Sequence, residues 1–382
     1  MEFLFWAIAA LIIYVYAGYP LLLALIRACG GHRPVQAADY RPPVTLIVSA
    51  YNEAGVIGEK IANSLALDYP ADRLEVMVVS DCSSDRTDAI VQGIDDPRVK
   101  LLRMTERGGK TLGLNAAVRA ARGEVLVFSD ANAMYRRDAV TALTRNLADP
   151  QVGAVVGEST YSELEGAADE KESLYWRYEV VIKRLESELG SAVGGDGAIY
   201  AIRKSLYRPM RADALSDFVN PLQIVQSGHR CVYEPRAVSV EKAAGDFEKE
   251  FRRKVRIVNR AWRAMWSMKS LLNPLRYGFF SFELVSHKVL RWLVPLFLVA
   301  LLLVNAALLD SGWIYSLALA AQVAFYLLAL AGYAARRSSR MPALLSIPYY
   351  FCLVNVASAR GILDAFRGKT YTTWTTVRTP GT

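Results

Sequence analysis

The segment VTLIVSAYNE, residues 44–53, decides the fold class, because a run of aliphatic and β-branched residues ends directly in polar and acidic side chains. Two later segments repeat this pattern: the apolar run 76–79 leads to Asp81, and the run 125–128 leads to Asp130. Continuous apolar strands of this kind are typical of a parallel sheet that is buried on both faces. We therefore expect the acidic groups to gather at one edge of the sheet, where a nucleotide and a metal ion would lie.

The rest of the polar middle supports an α/β domain. From Pro42 to Gly157 a strand, a polar turn and a helical segment alternate four times before a further strand at 152–156, which favours a parallel sheet. Beyond it the sequence predicts a charged helix over Asp169–Leu189 and short strands at 198–202 and 231–233. We predict an α/β domain over residues 42–245, followed by basic amphipathic or interfacial helices over residues 246–288.

The N-terminal segment has the composition of a membrane anchor. Residues Phe3–Ile26 are almost uninterruptedly apolar and no small-residue cleavage site follows them, so we predict a spanning helix within residues 1–30. The basic residues Arg27 and Arg33 come next. Because basic residues stay on the cytoplasmic side, the chain after this helix is expected to begin in the cytoplasm.

A second apolar region, residues 289–366, lies near the C-terminus. Its first part, residues 290–334, has two span-length runs joined by a short polar turn, which predicts a transmembrane hairpin. The third run, residues 341–366, contains Pro348, Arg360 and Asp364. These residues favour an interfacial or re-entrant segment over a third span, which leaves residues 367–382 as a cytoplasmic tail.

Composition excludes several classes of partner. The formal net charge is +8, but the basic residues are not interleaved with stacking aromatics on a nucleic-acid-binding module, so no nucleic acid is expected. An anionic lipid bilayer and a diphosphate substrate account for this charge. The four cysteines are far apart, which predicts neither a disulfide framework nor a zinc site.

Three segments are candidates for holding a nucleotide. The turn at 49–53 lacks the glycines of a dinucleotide fingerprint, so Tyr51 and Glu53 either hold a base or open a helix. Asp81 either accepts a hydrogen bond from a uracil imide or ribose hydroxyl, or caps the next helix. The glycines before Lys110 open a helix at which backbone amides and a cation could meet phosphate.

The strand end at 130–132 is a candidate metal site. Alternate residues of a strand point the same way, so Asp130 and Asn132 can address one Mg²⁺ or Mn²⁺ ion that bridges a diphosphate. Asn132 offers a neutral amide oxygen, which should weaken the binding of the metal.

Together these segments resemble family 2 glycosyltransferases with the GT-A fold, of the membrane-embedded kind that includes hyaluronan, chitin and cellulose synthases and bacterial exopolysaccharide relatives. The resemblance covers about residues 42–269. It implies a Rossmann-like domain with a mainly parallel sheet, flanked by transmembrane and interfacial helices, and a UDP-sugar donor. The nucleotide-binding residues that it implies are Ala50, Tyr51, Glu53, Asp81, Lys110, Asp130 and Arg256.

The resemblance also implies an acceptor site and a base. Residues 193–200 resemble the glycine-containing acceptor segment of the family, which makes Gly195, Asp196 and Gly197 candidate acceptor residues. Asp217 stands where the family has the aspartate of Thr-Glu-Asp, although Ser216 replaces the glutamate. In an inverting transfer such a carboxylate takes the proton of the attacking acceptor hydroxyl.

Two further matches to the family are imperfect. Arg256 fits the arginine of Gln-x-x-Arg-Trp, but Arg253 and Ile257 replace the glutamine and the tryptophan, which argues against processive polymerisation. Trp262, on the same helix, either stacks on an acceptor sugar or anchors the helix at the membrane interface. The tail is similar to a Trp-Gly-Thr-Arg type tail that reaches the nucleotide, which implies such a role for Trp374 and Arg378.

The resemblance predicts a metal-dependent inverting glycosyltransferase with Asp217 as its base and Mg²⁺ or Mn²⁺ on the diphosphate. It would move a sugar from a UDP-sugar to a growing polysaccharide or lipid-linked glycan. We expect a multi-pass protein of a bacterial-type inner membrane with a cytoplasmic catalytic domain. Because four apolar segments make at most a narrow channel, a homo-oligomer or an export partner is expected to assist secretion. The alternative is a membrane-tethered nucleotide-sugar-binding regulator or accessory subunit without turnover.

Overall fold

The computed structural model describes residues 1–161, 167–241, 247–336 and 341–373, without the side chains of residues 161 and 167–175. In this part of the chain eight strands form one mixed sheet in the order β3-β2-β1-β4-β7-β6-β8-β5. The strands are β1 (Val44–Ala50), β2 (Leu74–Ser80), β3 (Val99–Arg103), β4 (Val125–Asp130), β5 (Met134–Tyr135), β6 (Val152–Tyr161), β7 (Tyr200–Arg203) and β8 (Arg230–Glu241).

The sheet brings the predicted acidic groups to one edge. Strands β1, β2, β3 and β4 are mutually parallel, and the register sets Ser49 opposite Asp130 and Ala50 opposite Ser80. Asp81 follows directly, and its backbone amide donates to the carbonyl oxygen of Ala50 over 3.0 Å. The predicted parallel α/β sheet is confirmed for these strands.

The sheet is mainly parallel, as predicted, and its second half adds antiparallel pairing and one strand that is longer than predicted. Strand β7 runs antiparallel to both β4 and β6, so the sheet is mixed. Strand β8 continues to Glu241 instead of ending at Tyr233. A proline cannot donate to a strand ladder, so Pro235 predicts a break. The structure accommodates Pro235 by a register shift against β6 between Val156 and Glu158, after which pairing resumes.

Helices cover both faces of the sheet and extend into an apolar region. They are α1 (Glu2–Gly31), α2 (Ile57–Leu65), α3 (Thr87–Gln92), α4 (Lys110–Ala120), α5 (Ala139–Asn146), α6 (Ala167–Leu189), α7 (Ser216–Gln226), α8 (Phe247–Ser267), α9 (Pro274–Tyr277), α10 (Phe279–Ala306), α11 (Trp313–Ala334) and α12 (Ala343–Phe366).

Neighbouring residues of one strand serve two separate cores. Leu46 packs in a cluster with Ile57 and Ile61 of α2 and with residues of α5, whereas Ile47 packs in a cluster with Leu114 of α4 and with residues of α7 and α8. Both faces of β1 are fully buried, which explains its uninterrupted apolar sequence.

Three of the described helices are long and apolar enough to cross a membrane, namely α1, α10 and α11. They lie where the sequence predicts the anchor and the hairpin. Helix α10 begins at Phe279, ten residues before the predicted start of the membrane region at residue 289. Its first turns carry Glu283 and His287, which are buried against the rest of the protein. Helix α12 is continuous through Pro348 and packs closely on α8, since a Cβ at Gly361 would lie 2.8 Å from the carbonyl oxygen of Val255. Its interfacial placement stays a prediction.

A buried polar network joins the candidate spans to the α/β domain. Glu186 of α6 is 0% exposed and accepts a hydrogen bond from the Tyr19 hydroxyl of α1 over 2.7 Å. The Nδ1 atom of His287, in α10, lies 2.7 Å from the same carboxylate. Two helical turns before Glu186, Glu179 of α6 forms an ion pair with Arg291 of α10. These contacts fix α1 and α10 to the helix that leads into the predicted acceptor segment.

Candidate active site

Hydrogen bonds join the loop after β1 to the loop after β2. Asn52 has a φ of 53°, a conformation that asparagine tolerates better than most residues, and its side-chain oxygen accepts from the amide of Ser84 over 2.8 Å. The amide of Glu53 donates to the Thr87 hydroxyl over 2.8 Å. The ring of Tyr51, which belongs to this turn, lies 3.7 Å from the Arg107 guanidinium. This places Tyr51 beside the glycine-rich loop that precedes Lys110.

Asp81 holds that glycine-rich loop in place. Its carboxylate is 2% exposed and accepts from the amide of Gly108 over 2.8 Å and from the amide of Gly109 over 3.0 Å. Gly109 has a φ of 86°, a value that glycine adopts without strain. Asp81 therefore positions the start of α4, and its direct contact with a nucleoside stays a prediction.

Lys110 connects the metal candidate to the acceptor segment. Its ammonium forms an ion pair with Asp130 and donates to the carbonyl oxygen of Gly197 over 3.3 Å. A Cβ at Gly197 would lie 3.2 Å from Oδ2 of Asp217 and 3.6 Å from the Lys110 ammonium. Residues predicted separately for the diphosphate, the acceptor and the base thus lie together.

Asp217 stands in the first turn of α7, and its backbone oxygen accepts from the amide of Gly195 over 2.6 Å. Its Oδ1 atom is inaccessible to solvent and has no hydrogen-bond partner among the described residues. Burial raises the pKa of Asp217, and the charges of Asp196 and Asp130 act in the same direction, against Lys110. A carboxylate with a raised pKa and an oxygen atom that has no hydrogen-bond partner among the described residues is suited to general-base chemistry.

Helix α8 supplies two arginines to the same region. Burial lowers the pKa of Arg256, while the charges of Asp130 and Asp217 favour its protonated form. Arg260, one turn later, donates to the Thr111 hydroxyl over 3.0 Å and to the carbonyl oxygen of Asp213 over 3.2 Å. Arg260 was not predicted from the sequence, although its i+4 spacing from Arg256 places both on one helix face.

Two further ionisable residues near Asp130, the half-buried Glu241 and the buried Lys60, were also not predicted from the sequence. Burial raises the pKa of Glu241 to about 8, with the charges of Asp130 and Asp196 adding to the effect. Burial lowers the pKa of Lys60 to about 7; its ammonium donates to the carbonyl oxygen of Ala133, on the turn after β4. No local signal marks Glu241, because it stands beyond Tyr233, where the strand was predicted to end.

The remaining predicted residues lie apart from this cluster or outside the described chain. Trp262 is 8% exposed and packs edge-on against the rings of Trp292 and Phe366, so its visible role is in the core, and contact with an acceptor stays a prediction. Trp374 and Arg378 lie outside the described residues. In the described part of the chain before them, Thr372 lies against the glycine-rich loop, because a Cβ at Gly109 would overlap its carbonyl oxygen.

We predict that Gly109→Ala weakens nucleotide binding by about tenfold, because both the left-handed φ and the Thr372 carbonyl oppose a side chain there. Isothermal titration of the full-length protein with UDP and GDP in the presence of Mn²⁺ measures the effect. Gly55→Ala is the matched control, since a Cβ at Gly55 would meet nothing within 4 Å. Equal affinities for Gly109→Ala and wild type would show that this loop does not bind the nucleotide.

The residues at the end of β4 fit a divalent cation in part. Asp130 contributes a carboxylate at the sheet edge, whereas Asn132 lies beyond the end of β4 in the turn that follows, so the strand alternation expected to align the two residues does not extend to Asn132. A carboxylate oxygen and an amide oxygen are nevertheless hard ligands that suit Mg²⁺ or Mn²⁺. Among the described residues no group of three or more histidine, cysteine, aspartate or glutamate side chains is arranged to hold a metal alone. Such an ion would therefore take its remaining ligands from the diphosphate and water.

Comparison with known proteins agrees with this geometry. Residues 45–208 match the family described as Glycosyl transferase family 2. An N-acetylglucosaminyltransferase of Bradyrhizobium elkanii is 34% identical over 128 residues, which are 32% of this chain and 69% of that protein. The chain belongs to glycosyltransferase family 2. An N-acetylglucosaminyltransferase of Rhizobium meliloti (strain 1021) is 26% identical over 274 residues, 67% of this chain and 64% of that relative.

A solved structure covers nearly the whole of this family 2 chain. The mannosyltransferase PcManGT from Pyrobaculum calidifontis, in complex with GDP-Man and Mn²⁺, matches 96% of this chain and 99% of its own, with a TM-score of 0.70 and 26% identity. This confirms the GT-A fold predicted from the sequence. The chain spans less than two thirds of the length of several curated relatives that it matches, including the Rhizobium meliloti protein.

Proposed function

We propose that this protein is an inverting glycosyltransferase that moves a sugar from a nucleoside diphosphate donor to a hydroxyl of a polysaccharide or lipid-linked glycan. The observation that carries the proposal is the position of Asp217. Its Oδ1 is inaccessible and has no hydrogen-bond partner among the described residues, and its Oδ2 lies beside Gly197, whose carbonyl binds the same lysine that pairs with Asp130. This arrangement sets a base next to a group suited to the leaving diphosphate.

In the proposed reaction Asp217 takes the proton of the acceptor hydroxyl as that oxygen attacks the anomeric carbon on the face opposite the diphosphate. Attack from the opposite face inverts the configuration. The backbone contact between Gly195 and Asp217 fixes the position of the base relative to the acceptor segment. One carboxylate suffices for the proton transfer, because the leaving group departs as a diphosphate that needs charge stabilisation in place of protonation.

Cations of the chain would stabilise that leaving diphosphate. Lys110 and Arg256 both lie near Asp130, and Arg260 is anchored between α4 and the segment before α7. Arg260 is held by hydrogen bonds before the reaction begins, so its charge would stabilise developing negative charge at little reorganisation cost. Asp130 and Asn132 would hold Mg²⁺ or Mn²⁺, which supplies Lewis-acid neutralisation of the diphosphate oxygens when bound.

We propose two candidate donors. The family resemblance of the loops around Tyr51 and Asp81 favours a UDP-sugar, and relatives described as N-acetylglucosaminyltransferases favour N-acetylglucosamine as its sugar. The structural neighbour was solved with GDP-Man, which makes GDP-mannose the second candidate. The turn at 49–53 and the loop at 81–87 form the surface that would distinguish the two bases.

Release of UDP or GDP from a panel of nucleotide sugars tests the proposed function. We expect the full-length protein in nanodiscs to turn over one donor class with Mn²⁺ or Mg²⁺, and to lose this turnover on chelation. Nucleotide binding without turnover of any donor, with and without added saccharides, would contradict the proposal and favour the regulator without turnover.

The membrane arrangement is also part of the proposal. The basic residues that follow α1 and the position of the α/β domain at the same end of α1 and α10 favour an inner-membrane protein with the active site on the cytoplasmic side. A lipid-linked acceptor would then reach the active site from the cytoplasmic leaflet of the bilayer. A homo-oligomer or an export partner would provide a wider path for a polymer than three candidate spans provide.

The proposed metal site predicts that one added carboxylate at residue 132 strengthens the binding of Mn²⁺. We expect Asn132→Asp to lower the Mn²⁺ concentration needed for half-maximal activity by about tenfold, because a second carboxylate raises the charge of the ligand set. A Mn²⁺ titration of donor turnover measures it, with Asn273→Asp as a control that adds the same charge at an exposed helix cap. An unchanged or increased Mn²⁺ requirement would show that residue 132 does not bind the metal.

A further inference from the structure

A second group of buried polar atoms combines Asp196 of the acceptor segment with two residues of α6 that have no part in the reaction described above. Lys183 of α6 is 4% exposed, and its ammonium has no hydrogen-bond partner among the described residues. It lies 4.3 Å from the ring centre of Trp176 and 5.8 Å from that of Tyr233. Among those same residues, Nε1 of Trp176 and Oδ2 of Asp196 are likewise buried without a partner.

Such an arrangement is costly unless a ligand completes it. A buried polar atom without a partner destabilises the folded chain, and a buried charge without one does so more strongly. The two aromatic rings compensate the ammonium only in part. Burial lowers the pKa of Lys183, and the nearby charge of Asp196 opposes that change. Two donor groups and one acceptor atom are thus inaccessible to solvent and lack a hydrogen-bond partner among the described residues.

The types of these atoms select the chemistry of that partner. Lys183 and Trp176 donate, whereas Oδ2 of Asp196 accepts, because its Oδ1 already accepts from the amide of Ala198 over 3.1 Å. An anion would face the Asp196 carboxylate, and a cation would face the Lys183 ammonium. Neutral hydroxyl groups both donate and accept, so one polyol can satisfy all three atoms. The aromatic rings suit the apolar C–H face of a pyranose.

The position of Asp196 connects this group to the base. Its neighbour Gly195 donates to the backbone oxygen of Asp217, and its other neighbour Gly197 lies against the Asp217 carboxylate. Tyr233 is oriented by a hydrogen bond from its hydroxyl to Glu158 over 2.8 Å. A sugar bound at Lys183 and Asp196 would therefore lie beside the segment that contacts the base.

We propose that Trp176, Lys183 and Asp196 form a subsite for a neutral sugar of the acceptor and orient its hydroxyl toward Asp217. The subsite rests on the proposed function, since it names the acceptor that the same site would use. Lys183 and Trp176 act in it as specificity-determining residues, because they contact the acceptor and not the reacting bond.

Saccharide binding tests the subsite without requiring turnover. The probes are chitobiose and mannobiose, added to the full-length protein with Mn²⁺ and UDP or GDP and followed by saturation-transfer NMR. We expect wild type to bind at least one probe, and Lys183→Met to weaken that binding by about tenfold or more, because the stem remains while the donors are lost. Nucleotide affinity should not change. Lys269→Met is the matched control, since Lys269 is exposed and lies on another element.

The outcomes separate the subsite from the proposed function. Saccharide binding that depends on Lys183 in a protein without turnover would overturn the function and support the subsite. Turnover with an acceptor KM that Lys183→Met leaves unchanged would overturn the subsite alone, as would a wild type that binds neither probe. If Lys183→Met does not fold, Trp176→Phe removes a single donor from a ring of similar shape. That variant should also raise the acceptor KM at constant kcat, and an unchanged KM would overturn the subsite.

Discussion

Asp217→Asn is expected to reduce sugar transfer by about 10²–10⁴-fold while leaving nucleotide affinity unchanged. An asparagine keeps the size of the side chain and the first turn of α7, but it cannot take the proton of an acceptor hydroxyl. The backbone contact from Gly195 does not involve the side chain, so the acceptor segment should keep its position. The loss should therefore appear in kcat and not in the binding of the donor.

The measurement is donor turnover in the presence of acceptor, paired with nucleotide titration of the same preparations. Asp213→Asn is the control: Asp213 belongs to the same connecting segment, but its carboxylate pairs with Arg263 over 3.0 Å, outside the cluster around Lys110. Full activity of Asp217→Asn would show that another group acts as the base.

The pH dependence offers a second readout of the same assignment. Because burial raises the folded-state pKa of Asp217, the active carboxylate is lost as pH falls through a value above that of an ordinary aspartate. We expect the rate of wild type to rise with pH through that raised pKa and then level off. The residual rate of Asp217→Asn should lack this rise, and a rise at the same pH in the variant would assign it to another residue.

The sequence predicts the catalytic edge of the sheet well because the information there is local. The apolar runs before Asp81 and Asp130 specify buried parallel strands, and in such a sheet the ends of neighbouring strands meet. Lys110 follows from the glycines that precede it. These residues needed no knowledge of distant contacts.

The residues that the sequence did not predict depend on distant pairing. Glu241 approaches Asp130 only because β8 resumes its pairing with β6 beyond Pro235. Lys183 lies within a helix whose charged pattern is equally typical of a solvated surface, and only its packing against Tyr233 shows that its ammonium is buried.

Asp81 and Trp262 illustrate the opposite case, in which a residue is placed but its structural partner is unexpected. The Asp81 carboxylate accepts hydrogen bonds from backbone amides of a loop 27 residues later in the chain. No local sequence pattern predicts this contact. Trp262 has the spacing of a membrane-interface or sugar-stacking residue, and its neighbours Trp292 and Phe366 come from other helices. The positions of the motif residues were predictable from the sequence. Which of these residues support a neighbouring loop or helix, and which contact a ligand, was not.

Glu186→Ala is expected to lower the free energy of unfolding by about 3–5 kcal/mol, because it removes one partner from a fully buried polar network. The carboxylate accepts from the Tyr19 hydroxyl over 2.7 Å and from the amide of Val193 over 3.0 Å, and it lies 2.7 Å from Nδ1 of His287. Alanine leaves all three groups buried without this partner. The midpoint of thermal unfolding in detergent, followed by circular dichroism, should fall by several degrees.

The same variant also tests whether the membrane helices and the acceptor segment are coupled. Val193 opens the segment that carries Gly195 to Gly197, so Glu186 fixes both α10 and the approach to Asp217 through one carboxylate. We expect Glu186→Ala to raise the acceptor KM more than the donor KM. Asp39→Ala is the control, because its ion pair with Arg41 is 74% exposed on the aspartate side and its loss should not move the midpoint. Equal midpoints for Glu186→Ala and Asp39→Ala would show that the buried network does not hold α1 and α10 to the α/β domain.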